Sequence, residues 1–235
     1  MKERSGKQPG RDGGMTVVRQ RVLGILAAGL AVVLGVMISC GGVVLYEQDF
    51  SSATLSAWDT ASSSVSERWI AQGAYHVLAR SPAFPTMGLL EGSWLRVGAV
   101  ELDASQQSGT PHCSYGIVFG YVNDRLYFRF CITGDGYVEL SRVINGHDTL
   151  IVERRRCFVS RLGHLAVNRL RAEYDGVNCR FYVNGCLVMQ CPNLVIPGGA
   201  VGVIVSTLQA DDVRVAFDDF QIYDVSSVVA ISTAP

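Results

Sequence analysis

The chain has 235 residues, 49% of them hydrophobic, and sets 20 Lys and Arg against 21 Asp and Glu for a net charge of −1. So even a balance gives no basic stripe to track a phosphate backbone, which excludes nucleic acid as a partner and removes any bias toward acidic surfaces. Once an N-terminal segment is set aside, the remainder has the length of one large all-β domain.

Residues 1–14 are rich in Gly, Lys and Arg without an apolar pattern, so they read as a flexible leader or as sequence upstream of a start at Met15. Arg19 and Arg21 then lead into the apolar run 22–38, which stops at Ser39-Cys40-Gly41-Gly42. A positive flank, an apolar stretch and a small residue before the break make an export signal. Met37-Ile38-Ser39-Cys40 resembles the lipobox of bacterial lipoproteins, with Met37 where that motif usually has Leu, Val or Ile. The resemblance implies that Cys40 is lipidated and becomes the N-terminus, a stable anchor at ~0.8 kcal/mol per buried methylene. The run also approaches the ~17–25 residues that span a bilayer, so a retained apolar helix is the competing expectation. Either way the basic flank stays in the cytoplasm and the rest is extracytoplasmic, at a bacterial cell surface or in a periplasm. The expected division is 1–40 leader and anchor, 41–226 β-sandwich and 227–235 disordered tail.

From residue 68 onward, short β-branched and aromatic runs alternate with turn residues. Runs 68–71 and 75–79 flank Gln72-Gly73; 97–102 follows, then 115–121 and 126–133 around Asn123-Asp124. Gly134-Asp135-Gly136 turns into 137–144, and Asn145-Gly146 into 149–153. Next come 168–174, Asp175-Gly176, 179–183, Asn184-Gly185, 186–190, 200–206 and 213–223. Leu126, Phe128, Phe130 and Ile132 face one way; Tyr127, Arg129, Cys131 and Thr133 face the other. Period-two patterning with Asn-Gly and Asp-Gly turns predicts antiparallel hairpins packed face to face.

Seven cysteines leave one over from pairing; with Cys40 lipidated, Cys113, Cys131, Cys157, Cys179, Cys186 and Cys191 form an even, disulfide-permissive set. Zinc is rejected, because there is no C-x-x-C and His76, His112, His147 and His164 are not spaced around the cysteines as ligands. Six cysteines allow fifteen connectivities. An Asn184-Gly185 hairpin would put Cys179 opposite Gln190 and roughly 13 Å from Cys186, too far for a disulfide. Cys191 would be a near neighbour on the opposite face, unless Pro192 imposes a bulge. No cysteine has a nearby cue for a lowered pKa.

Asp49-Phe50-Ser51, Tyr115-Gly116-Ile117-Val118-Phe119 and Asn123-Asp124-Arg125-Leu126-Tyr127-Phe128 come first in an ordered series of blocks. Gly134-Asp135-Gly136-Tyr137, Asn168-Arg169-Leu170, Phe181-Tyr182-Val183-Asn184-Gly185, Gly202-Val203 and Val215-Ala216-Phe217-Asp218-Asp219-Phe220 complete it. In this order they resemble the concanavalin A-like, LamG-type jelly-roll domains of bacterial surface proteins, related in fold to the 3-keto-disaccharide hydrolase family. The resemblance spans residues 45–224 and implies an antiparallel jelly-roll β-sandwich. It does not identify the ligand.

Laminarinase-type glycoside hydrolases of this fold carry Glu-x-Asp followed by a second Glu on one strand, which supplies nucleophile and acid/base. Here Glu101 and Asp103 match, but Ser105 and Gln106 follow, so no catalytic residue is assigned. No Gly-x-Ser-x-Gly elbow or phosphate-binding glycine loop occurs, and Glu153-Arg154-Arg155-Arg156 reads as a solvated loop. Tyr121, Tyr127, Arg129 and Tyr137 are the candidate glycan platform, since sugars stack on aromatic faces beside polar groups. Related jelly rolls hold a calcium ion between first and last strands, which makes Asp49, Asp218 and Asp219 candidate ligands for a structural calcium; no other cofactor is expected. The expected protein is a membrane-anchored, non-catalytic glycan-binding or sensing module. The alternatives are a sugar-linkage hydrolase and a structural or adhesive envelope protein that contacts another protein.

Overall fold

The computed structural model describes residues 42–51, 57–82, 84–207 and 212–225. The apolar segment, Cys40 and the tail 227–235 lie outside the described residues, as do the expectations placed on them. Among the described residues there are fifteen strands and no α-helix. All the ladders are antiparallel, and the strands make two sheets.

The nine-stranded sheet contains β1 (Val43–Gln48), β2 (Ala61–Ser62), β3 (Ser66–Ala71), β4 (Ala74–Ala79), β6 (Gly98–Ser108), β11 (Val167–Tyr174), β12 (Asn178–Val183), β13 (Cys186–Pro192) and β15 (Val213–Asp224). Its order is β13-β12-β11-β6-β15-β4-β3-β2, with β1 also on β15. The six-stranded sheet runs β10-β9-β8-β7-β14-β5. Its members are β5 (Thr86–Leu89), β7 (Ser114–Asn123), β8 (Leu126–Thr133), β9 (Tyr137–Ile144), β10 (His147–Arg156) and β14 (Ala200–Ser206).

The expected alternation places Phe128, Phe130 and Ile132 in the main core, where Phe130 meets Phe181 of the other sheet with ring centroids 4.9 Å apart. Each buried side chain of this size contributes ~1.5–3 kcal/mol. Asn145-Gly146 and Asn184-Gly185 both have positive φ at each residue, as a tight two-residue hairpin turn requires. The strands β1, β2 and β5 escape the sequence reading. β5 in particular is four residues long, follows Pro85 and contains Gly88, whose added Cβ would meet the Tyr75 ring at 2.4–2.8 Å. Glu153-Arg154-Arg155-Arg156 is not a loop but the end of β10, the outer strand of the six-stranded sheet.

β15 changes partners halfway. Val213 to Phe217 pair with β4, and Phe220 to Asp224 pair with β1. At the changeover its register against β6 shifts between Asp218 and Gln221, and Asp219 adopts φ 47°. The extra residue is a β-bulge, and it lets Phe217 and Phe220 both face inward although they are three positions apart. Phe220 there meets Trp58 at 4.8 Å, and Trp58 meets Tyr75 at 4.9 Å and Phe50 at 5.5 Å.

A second bulge lies in β13. Phe181 pairs with Met189 but Tyr182 with Leu187, so Val188 is the inserted residue. Cys179 is therefore opposite Cys191, not Gln190, and the bulge arises at Val188 and not at Pro192.

Because Trp58 joins three aromatic neighbours in the core, Trp58→Ala is expected to cost roughly 3–5 kcal/mol. Urea unfolding followed by far-UV circular dichroism measures it.

Candidate functional site

The strand β6 presents Glu101 and Asp103 on the outer face of the nine-stranded sheet, and the register of β11 sets Arg171 opposite Glu101 and Arg169 opposite Asp103. Both carboxylates are taken up by these arginines. Arg169 donates to Glu101 at 2.5 Å and to Asp103 at 3.2 Å, and Arg171 donates to Glu101 at 3.0 Å. The ladder continues through Glu173 to Arg180, whose donor distance is 2.9 Å. Burial opposes the charge on Arg169, but Glu101 and Asp103 outweigh it and hold its pKa above the ordinary guanidinium range. Ser105, two positions past Asp103, accepts from the Gln107 amide at 2.9 Å. Gln106 is buried and donates to the carbonyls of Ser108, Gly109 and Thr110, so it ties down the loop after β6.

The four residues of the expected glycan platform do not form one surface. Tyr127 is buried in a second apolar cluster with Val118, Cys131, Val143 and Ile204, so its ring is not a free platform. Arg129 is fully engaged: it donates to Ser141 Oγ at 2.6 Å, to Ser206 Oγ at 3.2 Å and to the Asp148 carboxylate. Tyr137 lies at the other end of that sheet, beneath the guanidiniums of Arg154 and Arg156 at 4.9 and 5.4 Å. The period-two pattern gave a common face only to Tyr127 and Arg129. Strict alternation would set Tyr121 with the core residues Tyr115, Ile117 and Phe119, but the register of β7 shifts between Phe119 and Asn123 and brings it beside Tyr127.

Tyr121 has a different setting. It stands at the end of β7, against Tyr127 at 6.1 Å, and lines an open cleft of ≈420 Å³ between β3, β5 and the β7–β8 turn. Its hydroxyl donates to Asp124 at 2.8 Å, and burial, then this contact, pushes its pKa up to about 12. Across the cleft Arg68 pairs with Asp59 at 2.7 Å, and Asp59 also accepts from the Tyr75 hydroxyl at 3.1 Å. Glu91 adds a further carboxylate and Phe84 an exposed ring, 76% accessible. An aromatic wall facing carboxylates and a guanidinium offers a sugar both a stacking surface and acceptors for its hydroxyls. Sequence reasoning found Tyr121 but missed Asp59, Arg68, Phe84, Glu91 and Asp124, which come from separate segments and share no motif.

The first and last strands are neighbours, as expected, and the repulsion felt by Asp218 includes Asp49 and Asp219. Some of their oxygens are already engaged. Asp49 Oδ1 accepts from Ser51 N and Oγ at 3.1 and 2.9 Å, Asp218 Oδ1 accepts from Asp219 N at 2.7 Å, and Asp219 faces Arg169 at 3.8 Å. Among the described residues no three His, Cys, Asp or Glu side chains are grouped to hold a metal ion.

The sequence matches no protein-family model and no curated protein. Solved structures do resemble it. A carbohydrate-binding module, CBM66, from Bacillus subtilis aligns at 15% identity and TM-score 0.58, over 74% of this chain and 99% of the other. A Bacillus subtilis protein of unknown function with a galectin-like fold gives 11% and 0.61, over 78% and 97%. The catalytic domain of an endo-1,3-beta-glucanase (laminarinase) from Thermotoga petrophila gives 12% and 0.55, over 78% and 98%. At these identities the likeness concerns fold. The chain is a concanavalin A-like β-sandwich, of the jelly-roll kind also used by glycoside hydrolases.

Burial, with repulsion from Asp219, Asp103 and Asp49, holds the Asp218 carboxyl above the usual range against the pull of the Asp219 N–H. The native state thus binds this proton more tightly than the unfolded chain, so the group's contribution to stability falls as pH rises from about 4 through its folded pKa. Asp218→Asn keeps the Oδ1 acceptor and is expected to gain up to about 0.5 kcal/mol at pH 7 after solvent screening, with a smaller difference at pH 4. Urea midpoints at the two pH values test the sign.

Proposed function

We propose that this protein is a membrane-anchored, extracytoplasmic module that binds a glycan without cleaving it, in the cleft beside Tyr121. The observation that carries the reading is the cleft itself: ≈420 Å³ at the open edge of the sandwich, with Tyr121 and Phe84 beside Asp59, Arg68, Glu91 and Asp124. The size and lining suit a short stretch of sugar units. The structural likeness to a carbohydrate-binding module and to a laminarinase supports carbohydrate as the ligand class.

A hydrolase reading would rest on Glu101 and Asp103. Against it stand Arg169 and Arg171, which neutralise the pair, and Ser105, which offers no second acid/base. Retaining hydrolysis needs one carboxyl free to attack and another able to donate a proton. A carboxylate locked between two guanidiniums suits neither role.

Titration calorimetry against neutral and acidic oligosaccharides, laminari-oligosaccharides among them, tests the binding reading. Tyr121→Ala is expected to weaken the best ligand at least about tenfold, a loss of ~1.4 kcal/mol, with an unchanged melting temperature. Glu101→Gln is expected to leave affinity unaltered. Retained affinity in Tyr121→Ala, or release of reducing ends on prolonged incubation, would count against the proposal.

The anchor rests on the sequence of residues 19–40. Intact mass spectrometry of membrane-extracted protein is expected to give a chain beginning at Cys40 with a diacylglycerol-type adduct. A mass that retains residues 22–38 would mean a transmembrane helix instead.

A further inference from the structure

We propose that Cys179 and Cys191 are joined by a cross-strand disulfide that staples the β12–β13 hairpin once the chain reaches an oxidising compartment. The two are direct partners in the ladder, a register created by the Val188 bulge. Directly opposed residues of antiparallel strands have Cα atoms ~4.5–5.5 Å apart, inside the ~4.4–6.8 Å range of disulfides. Both side chains point into the sandwich interior, within the main core that also holds Phe181 and Met189. Burial, and then the proximity of Cys191, push the Cys179 thiol up to about 12.

The remaining described cysteines do not compete. Cys131 belongs to the second apolar cluster on the other sheet, and Cys157 and Cys186 line a different hollow beside Phe158 and Leu187. None of them, nor Cys113, is paired in register with either member of the couple.

The chemistry balances with a low-molecular-weight disulfide such as glutathione disulfide as oxidant. The first thiol loses its proton and attacks the oxidant, releasing one reduced thiol and leaving a mixed disulfide. The second, also deprotonated, displaces the other thiol and closes the intramolecular S–S bond. The protein has then lost two protons and two electrons, and the oxidant has gained them. Because burial disfavours both thiolates, closure belongs to folding, before the hairpin is covered. The strand β13 is an edge strand of its sheet and is held along one side only, so this bond fixes an edge that pairing restrains from one side.

The full chain would be refolded with and without a glutathione redox couple, denatured, blocked with N-ethylmaleimide and cut with trypsin. Cleavage after Arg171, Arg180 and Arg214 leaves Cys179 in peptide 172–180 and both Cys186 and Cys191 in 181–214. Cys186→Ser removes that ambiguity at an exposed position. In this variant peptides 172–180 and 181–214 are expected to stay linked until reduction, and reduction is expected to lower the melting temperature by roughly 5–10 °C. Blocked Cys179 after oxidative refolding, or Cys179 linked to any other peptide, would overturn the assignment. Should Cys186→Ser fail to fold, Cys191→Ser decides the matter: loss of the linkage supports the pair, and its persistence refutes it.

Discussion

The bulge at Asp219 is the constraint around which the sandwich closes. A regular strand would turn Phe217 and Phe220 to opposite faces, and one of two large rings would meet solvent. With one extra residue both stay inside, and β15 can pair along one edge with β4 and then with β1 while β6 runs along the other. The carboxylates gathered there are a result of this geometry. Asp218 and Asp219 sit where the strand must bend, and Asp49 arrives because β1 takes over from β4 at that point.

The same sheet separates fold from chemistry. Its outer face repeats the Glu-x-Asp spacing found in hydrolases of this architecture, yet the opposing strand supplies arginines at the matching positions. Two charges that could have done chemistry are held in a ladder from Arg180 to Asp219, each link part-exposed and individually weak. The cleft proposed for recognition lies instead where the two sheets part at β3 and β5, a place where side chains from both can converge.

Much of the fold was legible because burial imposes a period of two. Residues 126–133, 137–144 and 200–206 are strands with the bounds that alternation and the Asn-Gly and Gly-Asp-Gly turns predict. What escaped has a common cause. A β-bulge leaves no composition signal: Val188 is an ordinary strand residue, yet its insertion brings Cys191 opposite Cys179, where unbroken counting puts Gln190. The cleft was invisible for another reason. Asp59, Arg68, Glu91 and Asp124 are unremarkable in their own segments, and only the pairing of distant strands makes them neighbours. Tyr127 was misjudged because alternation assigns a face without saying whether that face is wet. Here it packs among Val118, Cys131, Val143 and Ile204.

The irregular β10 has one more consequence. An outer strand presents unpaired backbone donors and acceptors to any extended chain nearby, which is how sheets add strands from other molecules. The register of β10 breaks twice against β9, and its last turn carries three consecutive arginines, two of them reaching back to Val188 and Asp135 carbonyls. A strand twisted out of register and crowded with cations is a poor template. At the opposite end of the same sheet, β5 is only four residues long and begins after a proline. Neither edge of this sheet invites a continuous ladder, so copies of the protein crowded together would resist polymerising through it.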